Sequence, residues 1–345
     1  MQNPKTIDPH SPDQSVAVPC SEMNPISPAV QEALSQLGDI PEAKRKELDP
    51  SYKDLPILGP FKYKNGTTYL GQYQNGKKTG FGLLVSADGS VYRQGYWEND
   101  KLQKYARVVV RDDSASIGQF KEGKMDGWGF LHLPEGTTYS GEFKNNLLHG
   151  FGYLKFKSGQ QYIGEFKRDL MDGWGYCQSA EGSKYLGDWK GHKRHGWGCL
   201  EKADGQKYTG EFQDSEVHGW GYHETPDGRI RIAEYRDGVV NGWCYLKHAD
   251  GWKYAGKVNK GKMNGFGFYS HPSGMIYSGE FVQSRREGWG YFRDPIFSIY
   301  SGEWKDSKFY GWGYQESNHV GSYRGEWKNE QKDGWGHFEG RNGIE

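Results

Sequence analysis

Aromatic and polar positions alternate along this chain in short blocks that recur at a fixed interval. The block Tyr139–Phe143 (Tyr-Ser-Gly-Glu-Phe) returns as Tyr162–Phe166 and again as Tyr185–Trp189, each copy 23 residues after the one before. The two aromatic residues and the glycine of a block share one face of a β-strand, because side chains alternate with a period of two. The alternation therefore predicts a strand at every copy.

A second block, Gly-aromatic-Gly, follows each of these predicted strands at a constant distance. Examples are Gly173–Gly175 and Gly196–Gly198, and the middle residue is aromatic in all 12 copies. Turn signals such as Ala203–Gly205 (Ala-Asp-Gly) separate the strands, and their glycines can supply the positive φ of a short loop. Each repeat is thus predicted to be one β-hairpin that pairs with the next.

The spacing indicates one continuous array. It stays at 23 residues from Ser116 to Tyr323, with one residue inserted near Tyr92–Gln94, and gives 12 repeats over residues 61–340. The predicted fold class is all-β, an elongated single-layer antiparallel sheet of about 12 hairpins that is twisted and curved. Such a sheet has no second layer of its own, so we expect its aromatic face to form a groove open to a partner.

The two ends depart from the repeat. Residues 1–60 contain eight prolines before residue 51 and a net charge of −4, and we expect a mostly disordered tail with short helices at 28–37 and 41–48. Residues 341–345 form a short C-terminal tail. Since Trp335 to Phe338 form a strand with little sequence left to cover it, we expect edge-to-edge self-association through the C-terminal repeat.

Composition makes several classes of protein function improbable for this chain. The chain has 51 glycines and 15% aromatic residues at a mean hydropathy of −0.92, which fits rings packed on backbone better than disorder. Basic and acidic residues balance at 44 each, so nucleic-acid binding and a polybasic membrane dock have little support. We expect no membrane span and a cytoplasmic protein. Four cysteines without CxxC spacing are predicted to be free thiols: Cys20, Cys177, Cys199 and Cys244.

Charged residues also recur in phase, and they were considered as catalytic groups. Glu142 and Glu165 stand in a column interleaved with Lys144 and Lys167, which is typical of a solvated, neutralised sheet face. The unbroken spacing leaves no insertion from which a catalytic pocket could be built. We therefore predict a protein that is not an enzyme, with no catalytic residue, no cofactor and no metal site.

The two blocks together resemble the MORN (membrane occupation and recognition nexus) repeat over about residues 61–340. The chain shows none of the enzymatic or membrane-spanning domains that accompany these repeats elsewhere. It is similar to repeat-only members of ciliary radial-spoke heads and other axonemal assemblies. The resemblance implies a scaffold subunit of a large cytoskeletal complex, located in the cytoplasm and in the cilium or flagellum axoneme. A phosphoinositide-binding membrane tether and the regulatory subunit of an enzyme are the alternatives.

Partner binding is predicted in the aromatic groove, because Trp and Tyr bury much area at small entropic cost. The predicted groove residues are Trp128, Tyr139, Trp174, Tyr185, Trp197, Tyr208, Trp220, Trp289, Trp312 and Trp335. A second group, expected on exposed loop edges where the repeat departs from its consensus, comprises Phe297, Phe309 and Tyr310. Helices or extended segments of other proteins are the expected occupants.

Overall fold

The computed structural model describes residues 55–295 and 298–341. The chain forms two compact units, Met1–Gly173 and Trp174–Glu345. Over the described ranges every regular element is a β-strand, and the pairings within each unit join consecutive strands in antiparallel fashion. The predicted all-β hairpin fold is confirmed. The helices predicted at 28–37 and 41–48, and most of the predicted tail, lie outside the described residues.

The first unit consists of four complete hairpins, preceded by one strand that the repeat did not predict and followed by the first strand of the next hairpin. Its strands are β1 (Ile57–Lys62), β2 (Thr68–Gln74), β3 (Lys77–Val85), β4 (Val91–Glu98), β5 (Lys101–Val110), β6 (Ala115–Lys121), β7 (Lys124–His132), β8 (Thr138–Lys144), β9 (Leu147–Lys155) and β10 (Gln161–Lys167). The unpredicted strand is β1, which pairs with β2 and places Phe61 opposite Tyr69.

The division between the units falls within β11 (Leu170–Gln178), and the second unit continues with seven hairpins. Its strands are β12 (Lys184–Lys190), β13 (Lys193–Glu201), β14 (Lys207–Gln213), β15 (Glu216–Glu224), β16 (Ile230–Arg236), β17 (Val239–Lys247), β18 (Lys253–Asn259), β19 (Lys262–Ser270), β20 (Ile276–Val282), β21 (Arg285–Arg293), β22 (Ser298–Lys305), β23 (Lys308–Ser317), β24 (Gly321–Lys328) and β25 (Gln331–Gly340). The Ala-Asp-Gly segments connect one hairpin to the next, and Gly205 has the expected positive φ of 85°.

Two-residue turns close the hairpins, and their residues also form hydrogen bonds with the preceding repeat. Between β8 and β9, Asn145 and Asn146 have φ values of 51° and 69°, the conformation of a type I′ turn. Asn146 Oδ1 accepts a hydrogen bond of 2.7 Å from the backbone N–H of Met125 in the preceding repeat. The N–H of Asn146 donates back to the Met125 carbonyl at 2.9 Å. The turn residues therefore satisfy their own backbone and fix the register of the adjacent repeat.

The block tyrosine and the two glycines form the packing unit of the repeats that carry all three residues. Tyr208 is 4% exposed and covers Gly210 and Gly221, which face each other across β14 and β15. A Cβ on Gly210 would lie 2.6 Å from the Cα of Gly221, and one on Gly221 would collide with the tyrosine hydroxyl. The same hydroxyl donates to the Glu211 carbonyl at 3.1 Å. Glycine is required here because the ring occupies the space of a side chain.

The rings of successive repeats form an edge-to-face series, here called the tyrosine ladder. Tyr208 meets Phe212 of its own strand at 5.0 Å between ring centroids, and Phe212 also meets Tyr185 of the preceding repeat at 5.2 Å. Each such pair contributes about 0.5–1.5 kcal/mol beyond its buried area. Burial raises the pKa of these phenols, to about 12 for Tyr254, so they remain protonated donors at neutral pH.

One repeat of the second unit lacks the tyrosine, and its glycine positions change with it. Arg231 stands in the tyrosine position, while Ala233 and Cys244 replace the two glycines that the ring would cover. Both replacements are buried, at 0% and 7% exposure. Small side chains at the two glycine positions thus fill volume that the ring fills elsewhere.

We predict that Gly210→Ala lowers the free energy of unfolding by about 1–3 kcal/mol, because its Cβ has to displace Tyr208 or Gly221. In a Tyr208→Ala background the same change should cost less, since the ring is gone. Ala233→Gly is the matched control and should cost at most about 1 kcal/mol. Urea denaturation of the single and double variants measures the coupling, and strictly additive effects would contradict this account of the packing.

Candidate functional site

The predicted aromatic groove is divided between the two faces of the sheet. In the pairing of β13 with β14, Gly198 stands opposite Gly210 and Trp197 stands opposite Glu211. Residues that face each other across a pair project to the same side. Trp197 therefore lies on the face of the glutamates, whereas Tyr208 lies on the opposite face. The prediction that tryptophans and tyrosines line one groove is wrong in this respect.

The tyrosines of the predicted groove belong to the core. Tyr139, Tyr185 and Tyr208 are 1%, 3% and 4% exposed. Their rings pack on glycines and on the neighbouring aromatic residues of the tyrosine ladder. A partner could reach them only by opening that packing, so their observed role is structural.

The middle residues of the Gly-aromatic-Gly blocks, here called the tryptophan column, are exposed, except that Phe81 is half-buried. Trp197, Trp220 and Trp289 retain 56%, 45% and 60% of their accessible surface. In the first unit the exposed members are Tyr105, Trp128 and Phe151. In the second unit they are Trp174, Trp197, Trp220, Trp243, Phe266, Trp289, Trp312 and Trp335. The structure thus places all seven predicted tryptophans at exposed positions of this column.

A β-bulge holds each ring of the tryptophan column in place. In the pairing of β14 with β15, Gly210 faces Gly221 but Glu211 faces His218, so Gly219 and Trp220 have no partner residue on β14. Gly219 adopts a φ of 53°, and a Cβ there would collide with the Glu211 carboxylate. The first glycine of the block is therefore a bulge residue in the left-handed region.

A glutamate carboxylate from the facing strand accepts a hydrogen bond from the backbone of this bulge. Glu211 Oε1 accepts a hydrogen bond of 3.2 Å from the backbone N–H of Trp220, a residue that has no pairing partner on β14. The same bond recurs with other acceptors, including Gln119 Oε1 to the N–H of Trp128 at 3.0 Å. The glutamates were predicted to form a solvated face, but the structure also gives them this backbone-capping role.

A second exposed aromatic column accompanies the first and was missed at the sequence level. Tyr245, Phe268 and Tyr291 come directly after the last residue of their blocks and are 37%, 42% and 36% exposed. They stand two residues from the tryptophan column on the same strands, and therefore project to the same side. The recurring Gly-aromatic-Gly-aromatic spacing could have revealed them.

The second group of predicted site residues does not form exposed loop edges. Phe309 is half-buried in β23, where it stacks on Tyr300 at 3.8 Å between ring centroids and meets Trp304 edge-to-face at 4.8 Å. Tyr310 is exposed but belongs to the same strand, with Lys305 Nζ 5.0 Å from its ring centroid. Both residues thus lie in a strand and not on a loop edge, and of the two only Tyr310 is exposed. Phe297 lies outside the described residues.

The described part of the chain offers little further site chemistry. No group of three or more His, Cys, Asp or Glu side chains there could hold a metal ion. Among the same residues, no helix has the length and apolarity needed to cross a membrane. Cys177, Cys199 and Cys244 are free thiols, and Cys20 lies outside the described residues.

The fold and the two-sided aromatic arrangement define a β-hairpin repeat protein with an exposed aromatic face. The family model described as MORN repeat matches six segments of this chain: 69–91, 117–138, 139–161, 162–184, 185–207 and 254–276. The chain is a MORN-repeat protein, as its repeat blocks indicated. MORN repeats are associated with binding to proteins or membranes, and the chain is a repeat protein of that kind.

Comparisons with solved structures and curated proteins add the following. The chain is similar to the TCP10 domain of Danio rerio CPAP, solved with a peptide of STIL, at 12% identity and a TM-score of 0.30; the match covers 66% of this chain and 90% of that one. It is also similar to the SAS-4 TCP domain of Drosophila melanogaster, solved with a proline-rich motif of Ana2, at 16% identity, a TM-score of 0.26 and coverage of 53% and 99%. No curated protein gives a significant match.

We predict that Glu211→Ala weakens the bulge in β15, because the Trp220 N–H loses its acceptor, at a cost of about 1 kcal/mol. Glu211→Gln is the matched control and should leave stability nearly unchanged, since Gln119 makes the same bond in its own repeat. Hydrogen exchange of the Trp220 amide should speed up in the alanine variant alone. Equal exchange in both variants would show that the carboxylate does not hold the bulge.

Proposed function

We propose that this chain is a non-catalytic scaffold that binds other proteins through the tryptophan column. One observation carries the proposal. The bulge needs only the backbone N–H of the middle residue, yet that residue is aromatic in all 12 repeats and is exposed in nearly all of the described ones. The fold therefore gives no reason for a ring at this position. Exposed aromatic surface of this extent is typical of interaction sites.

The assembly that we propose is cytoskeletal, of the ciliary or axonemal kind, and this part of the proposal is supported by the resemblance to repeat-only MORN proteins. Localisation of the tagged protein, with cilia separated from cell bodies, tests it directly. We expect enrichment in the ciliary fraction and retention after detergent extraction. Recovery in a detergent-soluble membrane fraction would contradict it and favour the phosphoinositide tether.

Self-association through the C-terminal repeat belongs to the same proposal. β25 pairs with β24 and presents Trp335 at 84% exposure. A second copy could pair along its backbone. Light scattering at increasing concentration would detect such a dimer, and a monomer at all concentrations would remove this element of the proposal.

We predict that the double variant Trp197→Ala, Trp220→Ala loses partner proteins in affinity purification while its unfolding midpoint stays within a few degrees of the parent protein. The small effect on stability is expected because both rings are roughly half exposed, at 56% and 45%. Val320→Ser, which alters an exposed apolar residue in a turn, is the control and should retain every partner. An unchanged set of partners in the folded double variant would refute the role of the column.

A further inference from the structure

Each ring of the tryptophan column in the second unit has acidic neighbours. Trp220 stands opposite Glu234 on the next strand, and its backbone N–H is bonded to Glu211 on the preceding one. Directly opposite side chains lie about 5 Å apart at their Cβ atoms. The same cross-strand pairing of ring and carboxylate recurs at Trp197, Trp289 and Trp312, which face Glu211, Glu303 and Glu326. This face therefore offers an aromatic ring and a carboxylate once in each of these repeats.

One repeat shows that a cation can lie against a ring at such a site. Lys257 replaces the glutamate opposite Trp243, and its Nζ lies 6.0 Å from the centroid of that ring. On the same face, the guanidinium of Arg324 lies 5.1 Å from the centroid of Tyr314, which faces it across the strands. Cations are attracted to ring faces by the aromatic quadrupole, and a nearby carboxylate strengthens the site. The chain thus supplies its own examples of a cation held on these rings.

The interval between rings selects the conformation of a ligand that follows the column. The rings recur every two strands, which is about 9.6 Å at about 4.8 Å per strand. A polyproline II helix advances about 9.3 Å in three residues and completes one turn, so every third side chain returns to the same side. An α-helix needs about seven residues, or about 10.5 Å, to return a side chain to one face, and a β-strand turns every third residue to the opposite face.

We propose that the tryptophan column of the second unit binds a proline-rich, basic segment of another protein in polyproline II conformation, with a Lys or Arg at every third position over successive rings. The proposal rests on the proposed function, because it takes the column to be a protein-binding surface. It names the chemistry of the partner. Prolines preset the extended conformation, and the cations pair with both the rings and the carboxylates.

The proline-rich N-terminal segment of this chain does not suit this surface. Residues 1–54 contain eight prolines, but their five basic and nine acidic side chains give a net charge of −4. An acidic segment would be repelled by the carboxylates beside the rings. Charge complementarity therefore favours a basic partner in trans over the chain's own tail.

Fluorescence anisotropy of a labelled peptide with six Arg-Pro-Pro units, titrated with the full-length protein at physiological salt, tests the proposal. We expect saturable binding that is at least about tenfold tighter than that of a peptide with the same composition and clustered arginines. A peptide of six Glu-Pro-Pro units should not bind. Equal affinity for the spaced and clustered arginine peptides would overturn the register argument, since general electrostatic attraction would then account for the binding.

Variants of the protein separate the contributions of ring and charge. Trp220→Ala with Trp289→Ala should weaken binding of the Arg-Pro-Pro peptide about tenfold, and Val320→Ser should leave it unchanged. Lys257→Glu should tighten it a few-fold, because the change frees Trp243 and adds a carboxylate. No gain from Lys257→Glu, or no loss from the tryptophan variants, would overturn the proposal.

The two proposals can fail separately. If the Arg-Pro-Pro peptide does not bind, but Trp197→Ala with Trp220→Ala still removes cellular partners, the column is an interaction surface and the inferred partner chemistry is wrong. If neither result is obtained, both proposals fall. Light scattering on the same variants covers a further outcome: a dimer that is lost on tryptophan substitution would mean that a second copy of the chain covers this face, and would overturn the proposed occupant.

Discussion

Contact between a tyrosine ring and two facing glycines is the constraint on which the packing of most repeats depends. Tyr208 occupies the volume above Gly210 and Gly221, so neither position can carry a side chain without displacing the ring. Neighbouring rings then meet edge to face and extend this packing from repeat to repeat. Because a single sheet has no opposing layer, the ladder supplies the apolar burial that a second layer provides in a sandwich. In the repeat of Arg231, which lacks the ring, Ala233 and Cys244 occupy the two glycine positions. In the repeat of Ser116, which also lacks the ring, both positions remain glycine, Gly118 and Gly129.

The bulge gives each repeat two chemically different aromatic faces. Gly219 and Trp220 are inserted opposite no residue of β14, which shifts the register between the tyrosine side and the turn side of the hairpin. The Glu211 carboxylate satisfies the N–H that the bulge releases. The glutamate beside the bulge thus has a backbone-capping role, whereas the exposed ring has none. Where this capping residue is a glutamate, its carboxylate lies beside an exposed ring and gives that part of the face an affinity for cations.

The fold could be read from the sequence because its signals are local and repeated. Alternation within Tyr139–Phe143 predicts a strand, and the 23-residue interval predicts how such strands follow one another. The face on which Trp197 lies could not be read in this way. Strand alternation assigns faces within one strand, whereas the relation between two strands depends on which residues pair. Trp197 pairs with Glu211 and Gly198 with Gly210, and the 23-residue spacing alone does not specify that register. Phe309 was misplaced because the turn of its hairpin is only two residues long, Asp306–Ser307, so that β23 has already begun at Lys308.

Repetition also determines how an exposed face of this kind would bind. Each ring is roughly half exposed and can contribute only a small free energy to a contact with a cation, of the order of 0.5–1 kcal/mol at an exposed site. A ligand that follows several rings in register adds these contributions after its ordering cost has been met once. Affinity would then rise steeply with the number of repeats engaged, and one altered repeat such as that of Lys257 would weaken binding without abolishing it. A regular spacing of rings is thus more selective than a single strong site, because it selects ligands by the spacing of their cations as well as by their charge.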